Sequence, residues 1–319
     1  MIHLIRLARP LNLLIIALTM YGLGWYLNDA VEYSENTDVQ SVYFFLLVFS
    51  TVLIAAAGNI INDYFDVKAD RVNKPERLII GKHIKRRVAI VAHWGLNFVA
   101  FSIAIFLSWK LETYWYVFIH LLSINILWYY SSYFKRKLFT GNILIAGLTA
   151  IVPLLVGLYF YQSHQLLESP NQNYFIYPFD KFRGDKFIVF LSFALAGFAF
   201  LLNFAREVVK DMEDVEGDQL IRAKTVPIVF GFNKSKLAIS TILFSAIAAI
   251  AFFFLQFKGI EPIVFLFVGF STLLIIIAFV LLLKANEKAN YKMINACIKL
   301  AMVFGLLSPI YWKLLIIYG

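Results

Sequence analysis

One cysteine in 319 residues, Cys297, leaves no partner for an intramolecular disulfide and excludes a cysteine-rich metal site. Charge is also scarce: Asp, Glu, Lys and Arg make up 15% of the chain, against about 25% in soluble domains. The five histidines, His3, His83, His93, His120 and His164, are scattered, with no metal-ligand spacing. His93 and His120 fall inside apolar runs and read as packed or hydrogen-bonded side chains. What fills the chain instead is apolar: 61% of residues are hydrophobic and mean hydropathy is +0.75, where soluble domains hold about 45–50%. This is the composition of a membrane protein.

The first run, "MIHLIRLARPLNLLIIALTMYGLGWYL", is longer than the apolar core of a signal peptide, and many runs follow it. It reads as a retained first span. Nine stretches are long enough to cross a ~30 Å hydrocarbon core at ~1.5 Å per residue. They fall near 11–27, 42–61, 88–108, 113–132, 141–161, 187–207, 236–256, 262–283 and 297–317. The expectation is a single polytopic domain over 1–319, an all-α bundle of nine transmembrane helices around a central cavity open to the cytoplasm.

Nine spans put the termini on opposite sides. With the N-terminus cytoplasmic and the C-terminus outside, all but six of the 29 Lys and Arg residues lie in or beside cytoplasmic segments. The six are Lys110, Lys181, Arg183, Lys186, Lys258 and Lys313. The first outer loop, "NDAVEYSENTDVQ", has no basic residue. The net charge of +9 is therefore an orientation signal that also favours anionic lipid, and nucleic acid is excluded as a partner. A plasma (inner) membrane location follows. Cytoplasmic loops fall near 62–87, 133–141 and 208–235. The outer loop at 162–186 has no assigned role; an interfacial lid and simple packing are both open.

Two of those loops begin with carboxylates. Asp63, Asp66 and Asp70 follow the second span, and Asp211, Asp214 and Asp218 follow the sixth, both spaced D-x-x-D-x-x-x-D. Each set is followed by basic residues, a proline (Pro75, Pro227) and a glycine (Gly81, Gly231). The pattern reads as an internal duplication. On a helix, positions i, i+3 and i+7 share a face, and Asn62, Asp66 and Asp70 form an overlapping stripe. Asp63, ~100° around the helix from Asn62, is left to contact a basic neighbour. Acid motifs at 62–70 and 211–218 would thus form two polar ladders facing one cavity. Carboxylates at that density repel each other and need cations. Oxygen-only ligands suit a hard cation, with Mg²⁺ the usual choice beside phosphate. The spacing is not that of an EF-hand, which needs ligands at alternate positions and a central Gly.

Mg²⁺, carboxylates and cations at the mouth of an apolar cavity describe a site for a polyprenyl diphosphate. The metal would turn the diphosphate into a good leaving group, and aromatic walls would face the resulting allylic cation. The chain has 32 Phe, 17 Tyr and 6 Trp, none of which is singled out for that role.

These motifs resemble those of the UbiA superfamily of intramembrane prenyltransferases. The family's N-x-x-x-D-x-x-x-D matches Asn62, Asp66 and Asp70, and its D-x-x-x-D matches Asp214 and Asp218, with Asp211 one turn earlier. "RPLN" (Arg9 to Asn12) resembles the opening helix, and "NKPERLI" the Asn-Arg-Pro-x-Arg segment, with Arg77 in the basic position. The Tyr and Lys after the fourth span are matched by Lys135 and by Tyr130 or Tyr133. "REVVKDMEDVEGD" is closest to the branch that alkylates the free hydroxyl of a geranylgeranylglycerol phosphate. The resemblance implies Mg²⁺ ligands Asn62, Asp66, Asp70, Asp211, Asp214 and Asp218. It implies catalytic roles for Asp66, Asp70, Asp214 and Asp218, and substrate contacts from Arg77, Lys135, Lys210, Tyr130, Arg9 and Asn12. Arg206 and Glu207 form either a supporting layer or a local ion pair. Partners are a polyprenyl diphosphate and a lipophilic acceptor. An aromatic quinone precursor (4-hydroxybenzoate or dihydroxynaphthoate) is the alternative acceptor, and an ion-coupled transporter is the rival from another class.

Overall fold

The computed structural model describes residues 2–28, 37–73, 75–166, 175–176, 179–183, 185–256 and 262–318. Twelve helices account for most of them. They are α1 (Ile2–Ala8), α2 (Pro10–Asn28), α3 (Thr37–Asn73), α4 (Arg86–Lys110), α5 (Trp115–Ser132), α6 (Thr140–Gln165), α7 (Asp185–Glu213), α8 (Val215–Leu220), α9 (Val226–Gln256), α10 (Leu266–Lys284), α11 (Lys288–Leu306) and α12 (Ser308–Tyr318). The all-α expectation gains one exception. The stretch between α6 and α7 carries a short antiparallel pair, β1 (Phe175–Ile176) with β2 (Phe179–Arg183).

Eight helical segments among the described residues are long and apolar enough to cross a membrane, with α11 and α12 together forming one. The remaining expected span, 113–132, is α5. Its 18 residues include His120, Ser123, Asn125, Ser131 and Ser132, and it is not among the eight. The last span begins at Lys288, not near 297, because a helix carrying Lys288 and Lys292 precedes the apolar run. Between α11 and α12 the helix breaks at Leu307 (φ −92°, ψ 0°), two residues before Pro309, whose ring cannot continue an α-helix without strain.

The described residues fall into two compact units. The first holds Met1–Ala17, Glu35–Ile145 and Asp214–Ile228, and the second holds Leu18–Ser34, Ala146–Glu213 and Val229–Gly319.

In the first unit, α3 packs on α4, α5 and α8. Leu127 of α5 seats against Gly58 of α3, where an added Cβ would meet its methyls at 2.9 Å. Small residues at such crossings let backbones approach. Two buried histidines find polar partners on neighbouring helices, as bilayer burial favours. His93 Nδ1 lies 2.9 Å from the Ala57 carbonyl, and His120 Nε2 lies 2.8 Å from Ser50 Oγ. At 37 residues, α3 is about 55 Å long by its ~1.5 Å rise. That exceeds the ~30 Å apolar layer, so one helix carries the first acid motif beyond its own membrane-crossing stretch.

The second unit packs α7 on α11 and α11 on α10. Glycines again mark the crossings: Gly157 of α6 faces Ser192, Gly305 of α11 faces Phe198, and Gly22 of α2 faces Ile310. Tyr26 is fully buried between Phe187 and Trp312, with ring centroids 6.3 and 5.6 Å away. His164 at the end of α6 meets Asp185 at the start of α7 (Nδ1–Oδ1 2.6 Å).

Candidate active site

The first motif lies on an unbroken helix. Asn62, Asp66 and Asp70 follow one another at i+4 along α3, so they share a face. Asp66 is 8% exposed although it is ionisable.

The partner of that carboxylate comes from a basic turn. α5 ends at Ser132 and a 3-10 turn, Phe134–Arg136, follows. Gly141, at the start of α6, lies under this turn; a Cβ there would meet Phe134 O at 2.9 Å and Lys135 Cα at 3.0 Å. The turn directs Lys135 to α3, where its ammonium donates to Asp66 Oδ2 and lies 3.5 Å from Asn62 Oδ1. Burial alone would lower the Lys135 pKa. Asp66, Tyr130 and Asp218 outweigh it and hold the pKa well above the ordinary lysine value. The Lys135 ammonium therefore feels one carboxylate from each acid motif.

The two tyrosines differ in their surroundings. Tyr130 is buried and acts on Lys135. Tyr133 is 54% exposed, with Lys137 Nζ 4.6 Å above its ring.

Asp63 is engaged elsewhere on α3. Arg9 Nη2 donates to Asp63 Oδ1 at 2.5 Å. Arg9 stands between α1 and α2 in a left-handed conformation, φ 57°. Asn59 fixes that corner by donating to the Ala8 carbonyl at 2.9 Å. Burial lowers the Arg9 pKa, but Asp63, then Asp66 and Asp70, more than restore it. Asn12, one turn into α2, donates its backbone N–H to the Arg9 carbonyl at 2.9 Å.

The second motif does not repeat the first as a helical ladder. α7 ends at Glu213, Asp214 takes φ −104° and ψ 11°, and α8 starts at Val215. Asp214 therefore stands at an N-cap, a position Asp favours, and Asp211 stands on the preceding helix. This break is also where the two units divide: Asp214 and Asp218 belong to the first, Asp211 and Lys210 to the second. In the second unit Lys210 donates to both Glu207 oxygens, at 3.0 and 2.8 Å, and Arg206 donates to Glu207 Oε1 at 3.0 Å. Arg206 and Glu207 thus form a local ion pair, and Lys210 contacts that glutamate.

Sequence reasoning missed the contact that ties the motifs together. Asn73, the last residue of α3, donates to the Asp214 carbonyl at 3.1 Å and accepts from the Gly217 N–H at 2.9 Å. Gly217 must be glycine for this contact. A Cβ there would stand 2.3, 2.6 and 2.7 Å from Nδ2, Cγ and Oδ1 of Asn73. The available signal was a polar amide closing the first loop and a glycine between Asp214 and Asp218.

Arg77 lies in a 3-10 turn, Pro75–Arg77, and its side chain is outside the described residues. Among the described residues no group of three or more His, Cys, Asp or Glu side chains is gathered to hold a metal. The acid side chains that act on Lys135 carry hard oxygens, Asp66 and Asp218, each 8% exposed. That donor chemistry fits Mg²⁺ and disfavours softer metals.

Fold and site together define a polytopic, all-α membrane enzyme. Residues 30–303 match the UbiA prenyltransferase family, so the chain belongs to that family and is a prenyltransferase. A digeranylgeranylglyceryl phosphate synthase from Thermococcus sibiricus is 32% identical over 72% of this chain and 69% of its own. Its namesake from Thermococcus gammatolerans is 31% identical over 83% and 86%. Among solved structures, one concerning digeranylgeranylglyceryl phosphate synthase superposes with a TM-score of 0.66 at 24% identity, covering 98% of this chain and 97% of that one. A UbiA homolog from Archaeoglobus fulgidus bound to GPP and Mg²⁺ has a TM-score of 0.55 at 17% identity, covering 97% and 99%. These two likenesses establish the fold.

Proposed function

We propose that this chain transfers a polyprenyl group from its diphosphate to the free hydroxyl of a geranylgeranylglycerol phosphate-like acceptor, forming an ether. The observation that carries the reading is the Lys135 ammonium, bound to Asp66 and acted on by Asp218, so that one cation answers to both acid motifs. The relatives named digeranylgeranylglyceryl phosphate synthase support the acceptor class.

In this reading Asn62, Asp66 and Asp70 hold one Mg²⁺ and Asp214 and Asp218 hold a second. Bound there, Mg²⁺ supplies charge neutralisation of the diphosphate leaving group. Lys135 contacts a diphosphate oxygen with its fixed positive charge. Tyr130 borders Lys135 and orients it. Arg9 keeps Asp63 neutralised, and Asn12 braces the corner that carries Arg9. Arg77 is a further diphosphate contact. The allylic C–O bond breaks, the acceptor oxygen bonds to the allylic carbon, and diphosphate and a proton leave. The apolar walls exclude water that would otherwise capture the cation. The cavity opens to the cytoplasmic side of the plasma membrane, with the N-terminus on that side and the C-terminus outside.

The test is transfer of label from geranylgeranyl diphosphate by the full chain in detergent with Mg²⁺. The acceptors offered are geranylgeranylglycerol phosphate, 4-hydroxybenzoate and dihydroxynaphthoate. Product with the glycerol phosphate alone, lost on adding EDTA, is the expected result. Product only with an aromatic acceptor would overturn the acceptor while leaving the prenyl transfer intact.

A further inference from the structure

Beside the acid motifs the first unit holds a cavity lined by cations. It has a volume of about 470 Å³ and is lined by Lys68, Arg86, Arg136 and Arg222, with Phe65 and Leu220 among its apolar members. The size falls within the roughly 300–1,000 Å³ of small-molecule sites. Four separate segments supply the cations: α3, the start of α4, the basic 3-10 turn, and the link from α8 to α9. No carboxylate lines the cavity, and none of the four cations forms an ion pair among the described residues.

The local structure keeps these cations together against their mutual repulsion. Arg86 lies 4.9 Å over the Tyr64 ring and donates to the Tyr64 carbonyl at 3.3 Å. The Arg136 carbonyl accepts from the Lys224 N–H at 2.9 Å, which fixes the basic turn to the segment bearing Arg222. Arg222 itself is left-handed, φ 54°. One turn thus splits its charges: Lys135 goes to Asp66, and the next residue, Arg136, lines the carboxylate-free cavity.

We infer that this cavity is a phosphomonoester subsite, separate from the acid motifs, which takes the phosphate of the prenyl acceptor; the inference rests on the acceptor class proposed above. A diphosphate held through a metal needs carboxylates to hold that metal, and this cavity has none. A phosphate monoester needs only charge-assisted donors, and guanidinium groups supply them in pairs. Phe65, Leu220 and Ile221 offer an apolar border for the lipid body that carries the phosphate. Donor and acceptor, both anionic, would then be neutralised by different groups and not compete for one.

The test combines direct binding with kinetics. Geranylgeranylglycerol phosphate is titrated calorimetrically into the full chain in detergent with EDTA and no diphosphate. The comparison is with the variant Lys68→Gln/Arg136→Gln/Arg222→Gln, all three positions being exposed. The variant should bind at least about tenfold more weakly, as expected for lost charge-assisted bonds. The dephosphorylated alcohol should bind both proteins equally. In the transfer assay the acceptor KM should rise by at least the same factor, with the diphosphate KM within about twofold. Should the triple variant misfold, Arg222→Gln alone should shift the same two quantities in the same direction. Equal binding by variant and wild type, or a rise confined to the diphosphate KM, would overturn the inference. A bilayer headgroup is the other source of a phosphomonoester. If phosphatidic acid in nanodiscs raises the wild-type rate, fails to raise the variant's, and leaves acceptor KM unchanged, the subsite belongs to the bilayer and the acceptor assignment is overturned. The EDTA binding needs no turnover, so it stands apart from the outcome of the transfer test.

Discussion

Gly217→Ala is the smallest change that should separate the two acid motifs. The new methyl would fall 2.3–2.7 Å from three atoms of the Asn73 amide, closer than any stable contact. The amide is the end of a rotatable side chain, so it can swing away. Doing so gives up its bond to the Asp214 carbonyl and its bond from the Gly217 N–H, at 3.1 and 2.9 Å. Each is worth about 0.5–1.5 kcal/mol net, so the loss is roughly 1–3 kcal/mol. Asn73→Ala removes the same two bonds by another route. The double variant should therefore cost no more than either single one, with a coupling energy of about 1–3 kcal/mol.

Function should follow the same arithmetic. Asp214 and Asp218 flank the clamp, so releasing it lets the second motif drift from the first. The Mg²⁺ concentration for half-maximal transfer should rise roughly 5- to 150-fold, the range that 1–3 kcal/mol implies. Acceptor KM should stay within about twofold. The assay is a Mg²⁺ titration of the transfer rate for wild type, both single variants and the double, with thermal unfolding of each in detergent. Additive losses in the double variant would refute the shared-clamp reasoning. So would an unchanged Mg²⁺ requirement in Gly217→Ala.

Lys135→Met should leave Asp66 8% exposed without its cation; transfer should fall at least about 100-fold, and a near-normal rate would remove Lys135 from the site. Because the folded state holds the Lys135 pKa above its ordinary value, its stabilising contribution is complete below about pH 10. It is lost only as pH rises through the raised value. The transfer rate should therefore be flat from about pH 7 to about pH 9, and an alkaline fall in that window that disappears in Lys135→Arg would contradict the assignment. Gly141→Ala must push on Phe134 O and Lys135 Cα, 2.9 and 3.0 Å from its methyl. It should lower kcat about tenfold or more with little change in acceptor KM, and an unaltered kcat would show that the turn can shift freely. Arg222→Gly relieves a left-handed residue worth about 1 kcal/mol, offset by a similar glycine entropy; Tm should stay within a few degrees while acceptor KM rises, whereas an equal loss of Tm and activity would make Arg222 structural.

Most of the architecture was legible because bilayer burial writes itself as long apolar runs. The duplicated acid spacing was legible as well. Both copies are followed by a glycine with positive φ, Gly81 at 87° and Gly231 at 80°, which their order along the sequence had paired. The geometry of the second copy was not legible. Period 3.6 extends a helix through any polar stretch without a breaker, yet the chain breaks at Asp214, where a side chain from 141 residues earlier accepts the next amide but two. Tertiary contacts of that reach leave no local signature. Lys210 was placed toward phosphate from its charge, but a glutamate three residues earlier on the same helix face was the nearer partner.

The repeated acid spacing is consequential because its two copies end differently. Asp63, Asp66 and Asp70 correspond to Asp211, Asp214 and Asp218 in order, so the position matching Asn73 is Ile221. The first copy ends in an amide that reaches the second, and the second ends in an apolar residue that lines the basic cavity. A symmetric pair of clamps would require each α3-like end to occupy the other's turn. A single clamp lets one motif stay on a rigid 37-residue helix while the other is cut loose at Asp214 and set by that contact. Three of the four left-handed non-glycine residues among those described follow the same division of labour. Arg9, Phe139 and Arg222, with φ of 57°, 57° and 54°, each end or follow a short element that delivers a cation. Glycine would fit those corners at lower steric cost, but at Arg9 it would forfeit the group that neutralises Asp63, and at Arg222 a lining cation of the basic cavity. Backbone strain of this kind persists where the side chain has work that glycine cannot do, and in the first unit that work is the placing of a cation.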